Sequence, residues 1–155
     1  MQRLHIGGNE LNGNCMSGLS KCLSLYSTIA HLDISSNTFS AQEMILFLKN
    51  VLSNNRNLRT LKIMNWSNFS ACEEFCEIFN EVNTSIETIN ISHNQTIPNL
   101  EVLFESEILK KIKLTKCGVS GERLHEIAQK ISHSKIQSID LSYNNIQADG
   151  LISKA

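Results

Sequence analysis

Leu32-Asp33-Ile34-Ser35-Ser36-Asn37-Thr38-Phe39 opens with an apolar–polar–apolar alternation, as a short strand with one buried face requires. An asparagine follows three residues after Ile34, then a second apolar anchor, Phe39. The same pattern returns as Leu4-x-Ile6-x-x-Asn9-x-Leu11 and Ile139-x-Leu141-x-x-Asn144-x-Ile146. Ile89-x-Ile91-x-x-Asn94 is a fourth copy, and Leu61-x-Ile63 and Ile112-x-Leu114 complete the series in degraded form. First positions at 4, 32, 61, 89, 112 and 139 give steps of 28, 29, 28, 23 and 27 residues. A self-similar step of this size means a solenoid of stacked units. The strands then lie side by side as a parallel sheet, their Leu and Ile forming a ladder into the core. The asparagine amide serves backbone groups of the following bend that no strand partner reaches.

Beyond each bend the apolar spacing changes to that of a helix. Met44, Phe47, Leu48, Val51 and Leu52 recur at three- and four-residue intervals in the second unit, as do Phe75, Ile78, Phe79 and Val82 in the third. In the fifth unit the series is Leu124, Ile127, Ala128 and Ile131. Ser40 with Glu43, and Ser70 with Glu73, match a capping box; Ser120 stands at the third start with its acid one residue early. Each full unit is therefore expected to run strand, turn, helix and return loop.

This combination resembles the leucine-rich repeat family over essentially the whole chain, and the step with a full helix per unit resembles its ribonuclease-inhibitor-like class. The resemblance implies an α/β horseshoe of about six repeats over residues 1–155, with a concave parallel sheet and convex helices. Two departures stand out. Trp66 occupies the asparagine slot of the third unit, with Asn68 two residues later, which predicts a widened bend. The fourth unit is short by about five residues, and Pro98 falls where its helix would begin, leaving a brief helix over 100–107 and an irregular curvature. No polar capping unit is visible at either end, so the chain reads as an excerpt of a longer array or a truncated gene product, with end-to-end stacking as the less favoured alternative.

Composition excludes several classes. Lys and Arg total 14 against 15 Asp and Glu, a net charge of −1 that gives no global attraction to nucleic acid or to a membrane surface. No apolar run has the length of a membrane span, and Met1-Gln2-Arg3 leads straight into a strand without a signal peptide. The cysteines, Cys15, Cys22, Cys72, Cys76 and Cys117, are odd in number and scattered, which reads as reduced thiols in a cytoplasmic protein. Cys117 falls in the asparagine slot of its unit, where a thiol is a weak donor.

Chemistry is sparse. Cys72 and Cys76 lie four apart on a helix and read as packing residues rather than metal ligands, and the five histidines are dispersed over different units. Gly7-Gly8 has no lysine after it, and no Ser or Cys has the context of a nucleophile. The reading is of a non-enzyme without cofactor or metal.

A binding surface remains. Alternation sends the residues beside each buried pair to the concave side, and the candidates there are His31, Asp33, Lys62, Met64, Asn90, Lys111, Lys113 and Asp140. Lys62, Lys111 and Lys113 form a modest basic patch. Trp66 and Tyr143 fall just past their strands and are expected at the rim as aromatic anchors, with Trp66 filling the widened bend as the equal alternative. The partner is expected to be a protein, of unspecified identity.

The stretch from Ile29 to Phe39, and that from Leu52 to Leu61, is similar to repeats of the CARMIL-type regulators of actin capping protein. That resemblance implies a scaffold in actin-filament organisation, in a cytoskeletal or membrane-associated complex, although the capping-protein-binding segment of that family has no counterpart here. Alternatives are a regulatory repeat segment of a signalling protein, as in NOD-like receptors or GTPase activators, and a secreted effector acting in a host cytosol.

Overall fold

The computed structural model describes residues 1–25 and 27–147. Six short parallel strands within this range pair in sequence order: β1 (Arg3–His5), β2 (His31–Asp33), β3 (Thr60–Lys62), β4 (Thr88–Asn90), β5 (Lys111–Lys113) and β6 (Ser138–Asp140). Their register is that of the repeat. Leu4, Leu32, Leu61, Ile89, Ile112 and Ile139 are successive partners across the sheet. Leu61, Ile89 and Ile112 are 0% exposed, so the ladder is the spine of the core.

On the other side run helices α1 (Gly13–Leu25), α2 (Ala41–Phe47), α3 (Phe75–Val82) and α4 (Gly121–Ile131). Helix α2 continues as a π-helical turn, Leu48–Leu52. Stacked strands advance by about 4.8 Å, whereas packed helices need about 8–10 Å. The helix side therefore fans out and the sheet takes the inner, concave side. The chain is an α/β solenoid with a six-stranded parallel sheet on one side and helices on the other, the architecture that the leucine-rich repeat resemblance implies.

The asparagines hold one unit to the next. Asn37 Oδ1 accepts the amides of Asn9 (3.0 Å) and Leu11 (3.1 Å) one unit back, while Nδ2 donates to the carbonyls of Ile34 (2.9 Å) and Ile6 (3.1 Å). Asn94 and Asn144 repeat the arrangement: each accepts from the preceding unit, at Trp66 N–H (2.8 Å) and Cys117 N–H (2.8 Å), and each donates to carbonyls on both sides. Where cysteine replaces asparagine, the Cys117 thiol donates to the Ile91 carbonyl at 3.2 Å. The residue before every slot is left-handed: Gly8, Ser36, Asn65, His93, Lys116 and Tyr143 have φ between 52° and 72°.

The third bend departs from the sequence expectation. It is not widened, because Asn65 takes the same left-handed conformation as its counterparts and Trp66 N–H meets Asn94 as in a regular unit. The irregularity follows the bend. Trp66 points inward and its Nε1 donates to the Phe39 carbonyl at 2.8 Å, a partner that Asn68 Nδ2 shares at 3.0 Å. The chain then winds as a 3-10 turn, Phe69–Ala71, and α3 starts only at Phe75, after Glu74 and without a side-chain cap. The capping box expected at Ser70 is thus not formed, whereas the one at Ser40 is, and Ser120 caps α4 through the Arg123 amide.

The short fourth unit makes a 3-10 helix, Leu100–Glu105, rather than an α-helix. Pro98 lies ahead of it, and left-handed Asn99 provides the entry. The sheet register is unbroken across β4 and β5, so the shortening is absorbed on the helix side. In α4, Ile127 is buried while Ala128 and Ile131 are exposed. The helix expected at the end of the last unit falls within residues 148–155, outside those described.

A second polar series closes the return loops. Asn55 Oδ1 accepts from Asn57 and Leu58, Asn83 Oδ1 from Ser85 and Ile86, and Ser106 Oγ from Ile108 and Leu109. Each is a local side-chain turn that brings the chain from helix to strand.

Candidate binding surface

Two classes of side chain border each strand. The central residue enters the ladder, and those before and after it face the open side in register with their neighbours. The outer row Arg3, His31, Thr60, Thr88, Lys111, Ser138 and the inner row His5, Asp33, Lys62, Asn90, Lys113, Asp140 each run straight across the sheet. Lys111 and Lys113 are exposed, and His31, Asp33, Lys62 and Met64 are half-buried on that face. The structure therefore brings Lys62, Lys111 and Lys113 onto one face, with Lys62 and Lys113 separated by the strand that carries Asn90.

Asn90 differs from the expectation of an open side chain. It is 8% exposed, and its Oδ1 accepts the Ser92 amide at 3.1 Å. The aspartates of the row are engaged in the same way: Asp33 Oδ1 accepts from Ser35 N–H (3.0 Å), and Asp140 Oδ1 from Ser142 N–H (2.9 Å). The same self-satisfying turn forms at each Asp or Asn of this row, Asp33, Asn90 and Asp140, all followed two residues later by Ser. Burial works to raise the Asp33 pKa, but the Ser35 hydroxyl and amide, with Lys62 and His5, outweigh it and hold the carboxyl below its usual range. The Ser142 hydroxyl and amide, aided by Lys113, do the same for Asp140.

The lysines are not tied down in this way. Ion pairs among the described residues join Lys110 to Glu87, Arg123 to Glu101 and Lys130 to Glu105, and the His5 ring lies 3.7 Å from the Asp33 carboxylate. None engages Lys62, Lys111 or Lys113.

Of the two aromatic residues expected at the rim, one is there. Tyr143 is 81% exposed, with the Lys116 ammonium 5.7 Å from its ring centroid. Trp66 is 2% exposed and belongs to the core, stacked on Phe39 at 5.1 Å between centroids and continued by Phe69 and Phe75. Of the two readings of Trp66, filling the bend is the one that holds, because the asparagine slot points into the solenoid whatever residue fills it. Lys116 was missed for the complementary reason. The position before the slot is left-handed and exposed in each unit, and counting from the asparagine would have found Ser36, Asn65, His93, Lys116 and Tyr143 as one rim row.

Only Cys76 lies on α3; Cys72, expected on the same helix, follows the 3-10 turn instead, because the helix starts only at Phe75. Both are buried, and burial, with Glu74 adding to it, pushes the Cys72 thiol up to about 11. Burial raises Cys76 as well. A thiol held in this form is a poor nucleophile and a poor ligand. On the helix side, the late start of α3 leaves an open hollow of about 500 Å³ lined by Ala41, Ile45, Leu46 and Cys72, with Glu73 and Glu74 at its edge.

No helix among the described residues is long and apolar enough to cross a membrane. A family model described as leucine rich repeat matches residues 132–153, which takes in β6 and the bend at Asn144. Among curated proteins, no sequence matches the chain.

Proposed function

We propose that the chain is a non-enzymatic protein-interaction module that engages its partner with the concave face of its sheet. The observation that carries this reading is the contrast within the inner row. Its aspartates and asparagine bond to their own backbone, while Lys62 and Lys113, with Lys111 beside them, form no ion pair among the described residues. Tyr143 and Lys116 at the rim extend the surface toward the bend side. Leucine-rich repeats in general serve protein interaction, which agrees.

The unpaired cysteines favour a cytoplasmic setting, and the similarity to CARMIL-type repeats favours a place in actin-filament organisation. The test is affinity purification from lysate, comparing the parent with Lys111→Glu/Lys113→Glu by mass spectrometry. Partners lost from the variant, at unchanged helical circular dichroism, support the concave face as the binding surface, and actin-capping components among them support the cytoskeletal role. Identical partner lists would refute the surface.

A further inference from the structure

The inner row carries a charge pattern that the fold does not demand. From β2 to β6 it reads Asp33, Lys62, Asn90, Lys113, Asp140, each the backbone partner of the next: anion, cation, neutral amide, cation, anion. Strands about 4.8 Å apart put the two lysine Cα atoms about 10 Å from each other and the two aspartates about 19 Å apart. Lys111 lies two residues before Lys113 on the same side of β5, which adds a third cation about 7 Å away.

The arrangement disfavours a polyphosphate chain. A nucleic-acid backbone needs an unbroken cationic track, and here Asp33 and Asp140 close the cationic stretch at both ends. Both carboxyls are held ionised by their serine contacts. What fits is a ligand with the inverse pattern. Three residues of extended or polyproline-II chain span about 9–10 Å, the separation of Lys62 and Lys113.

Resting on the reading of this face as a binding surface, we propose that it takes an extended protein segment with two carboxylates three residues apart, flanked outside by basic side chains. The carboxylates meet Lys62 and the Lys111–Lys113 pair, and the flanking cations meet Asp33 and Asp140. The residues one row over between these strands, Thr60 and Thr88, are small and half-buried.

The experiment is fluorescence anisotropy with two labelled peptides of identical composition and net charge. One has two glutamates three residues apart inside flanking lysines; the other has the lysines inside and the glutamates outside. The parent is expected to bind the first at least about tenfold more tightly, a difference of roughly 1.4 kcal/mol. Lys62→Glu/Lys113→Glu, and separately the milder Lys62→Gln/Lys113→Gln, should abolish that preference while the far-ultraviolet spectrum is retained. Equal binding of both peptides, or of neither, overturns the proposal, as does tighter binding of single-stranded RNA than of the first peptide. Should the peptides fail while lysate partners are still lost on charge reversal, the acidic-segment inference falls and the concave-face reading stands. If the partner list is also unchanged, both fall.

Discussion

Leu61 and Lys62 are neighbours in sequence, and they belong to regions of the molecule that obey different rules. The row through Leu61 is Leu, Leu, Leu, Ile, Ile, Ile from β1 to β6, and its central members are sealed from water. The row through Lys62 is His, Asp, Lys, Asn, Lys, Asp and changes character at every strand. Packing makes the first uniform, since each aliphatic side chain sits between two others and any polar group there would lack a partner. Nothing in the backbone constrains the second. The difference teaches that one strand of three residues can carry the fold on its central side chain and leave its flanking ones free for recognition.

Substitutions on the two rows should separate accordingly. The largest effect is expected from Leu61→Asp or Ile89→Asp. Each loses about 1.5–3 kcal/mol of apolar burial and adds the larger penalty of a buried carboxylate, so the central units should unfold. A parental melting curve for either variant would break the division between the rows. Next comes Trp66→Ala, which empties a site packed by Phe39 and Phe69 and frees the Phe39 carbonyl from the indole, at about 3–5 kcal/mol by denaturant titration. Were Trp66 a rim anchor instead, the cost would be within about 0.5 kcal/mol.

Asn37→Ala should follow at roughly 2–4 kcal/mol, because it strands the Asn9 and Leu11 amides and the Ile34 carbonyl together. Asn9→Ala, at an exposed residue whose amide bonds reach only its own unit, should cost clearly less. Gly118→Ala places a left-handed Cβ 2.8 Å from the Gln95 carbonyl and should destabilise by about 1–2 kcal/mol. Lys116→Gly, at an equally left-handed but exposed position, should be close to neutral, which sharpens the contrast between backbone strain and side-chain contact. The smallest effect on stability belongs to the lysine row. Lys62→Glu/Lys113→Glu should leave the melting temperature nearly unchanged and alter binding alone.

How much of this was legible follows the same division. The ladder, the step and the bend asparagines were readable because each repeats a physical requirement, and the register of six strands follows from them. The capping box at Ser40 was readable for a local reason, and the matching pattern at Ser70 failed for a distant one. Inward packing of Trp66 redirects the chain into a 3-10 turn, and local propensity cannot outweigh a buried indole. The return-loop turns at Asn55, Asn83 and Ser106 were overlooked although they recur six residues before the ladder position. The candidate surface was legible as a list of outward positions but not as a surface. Asn90 looked as open as Lys62 until its hydrogen bond to Ser92 was seen, and the freedom of the lysines depends on aspartates that bind their own backbone.

The central claim, that the concave face is the recognition surface, is tested most directly by a matched pair of charge reversals. Lys62→Glu/Lys113→Glu alters the sheet side, and Glu73→Lys/Glu74→Lys alters exposed residues on the helix side. Captured partners, quantified from lysate against the parent, should fall away with the first variant and persist with the second. Persistence with the first and loss with the second would contradict the account and move recognition to the helix side.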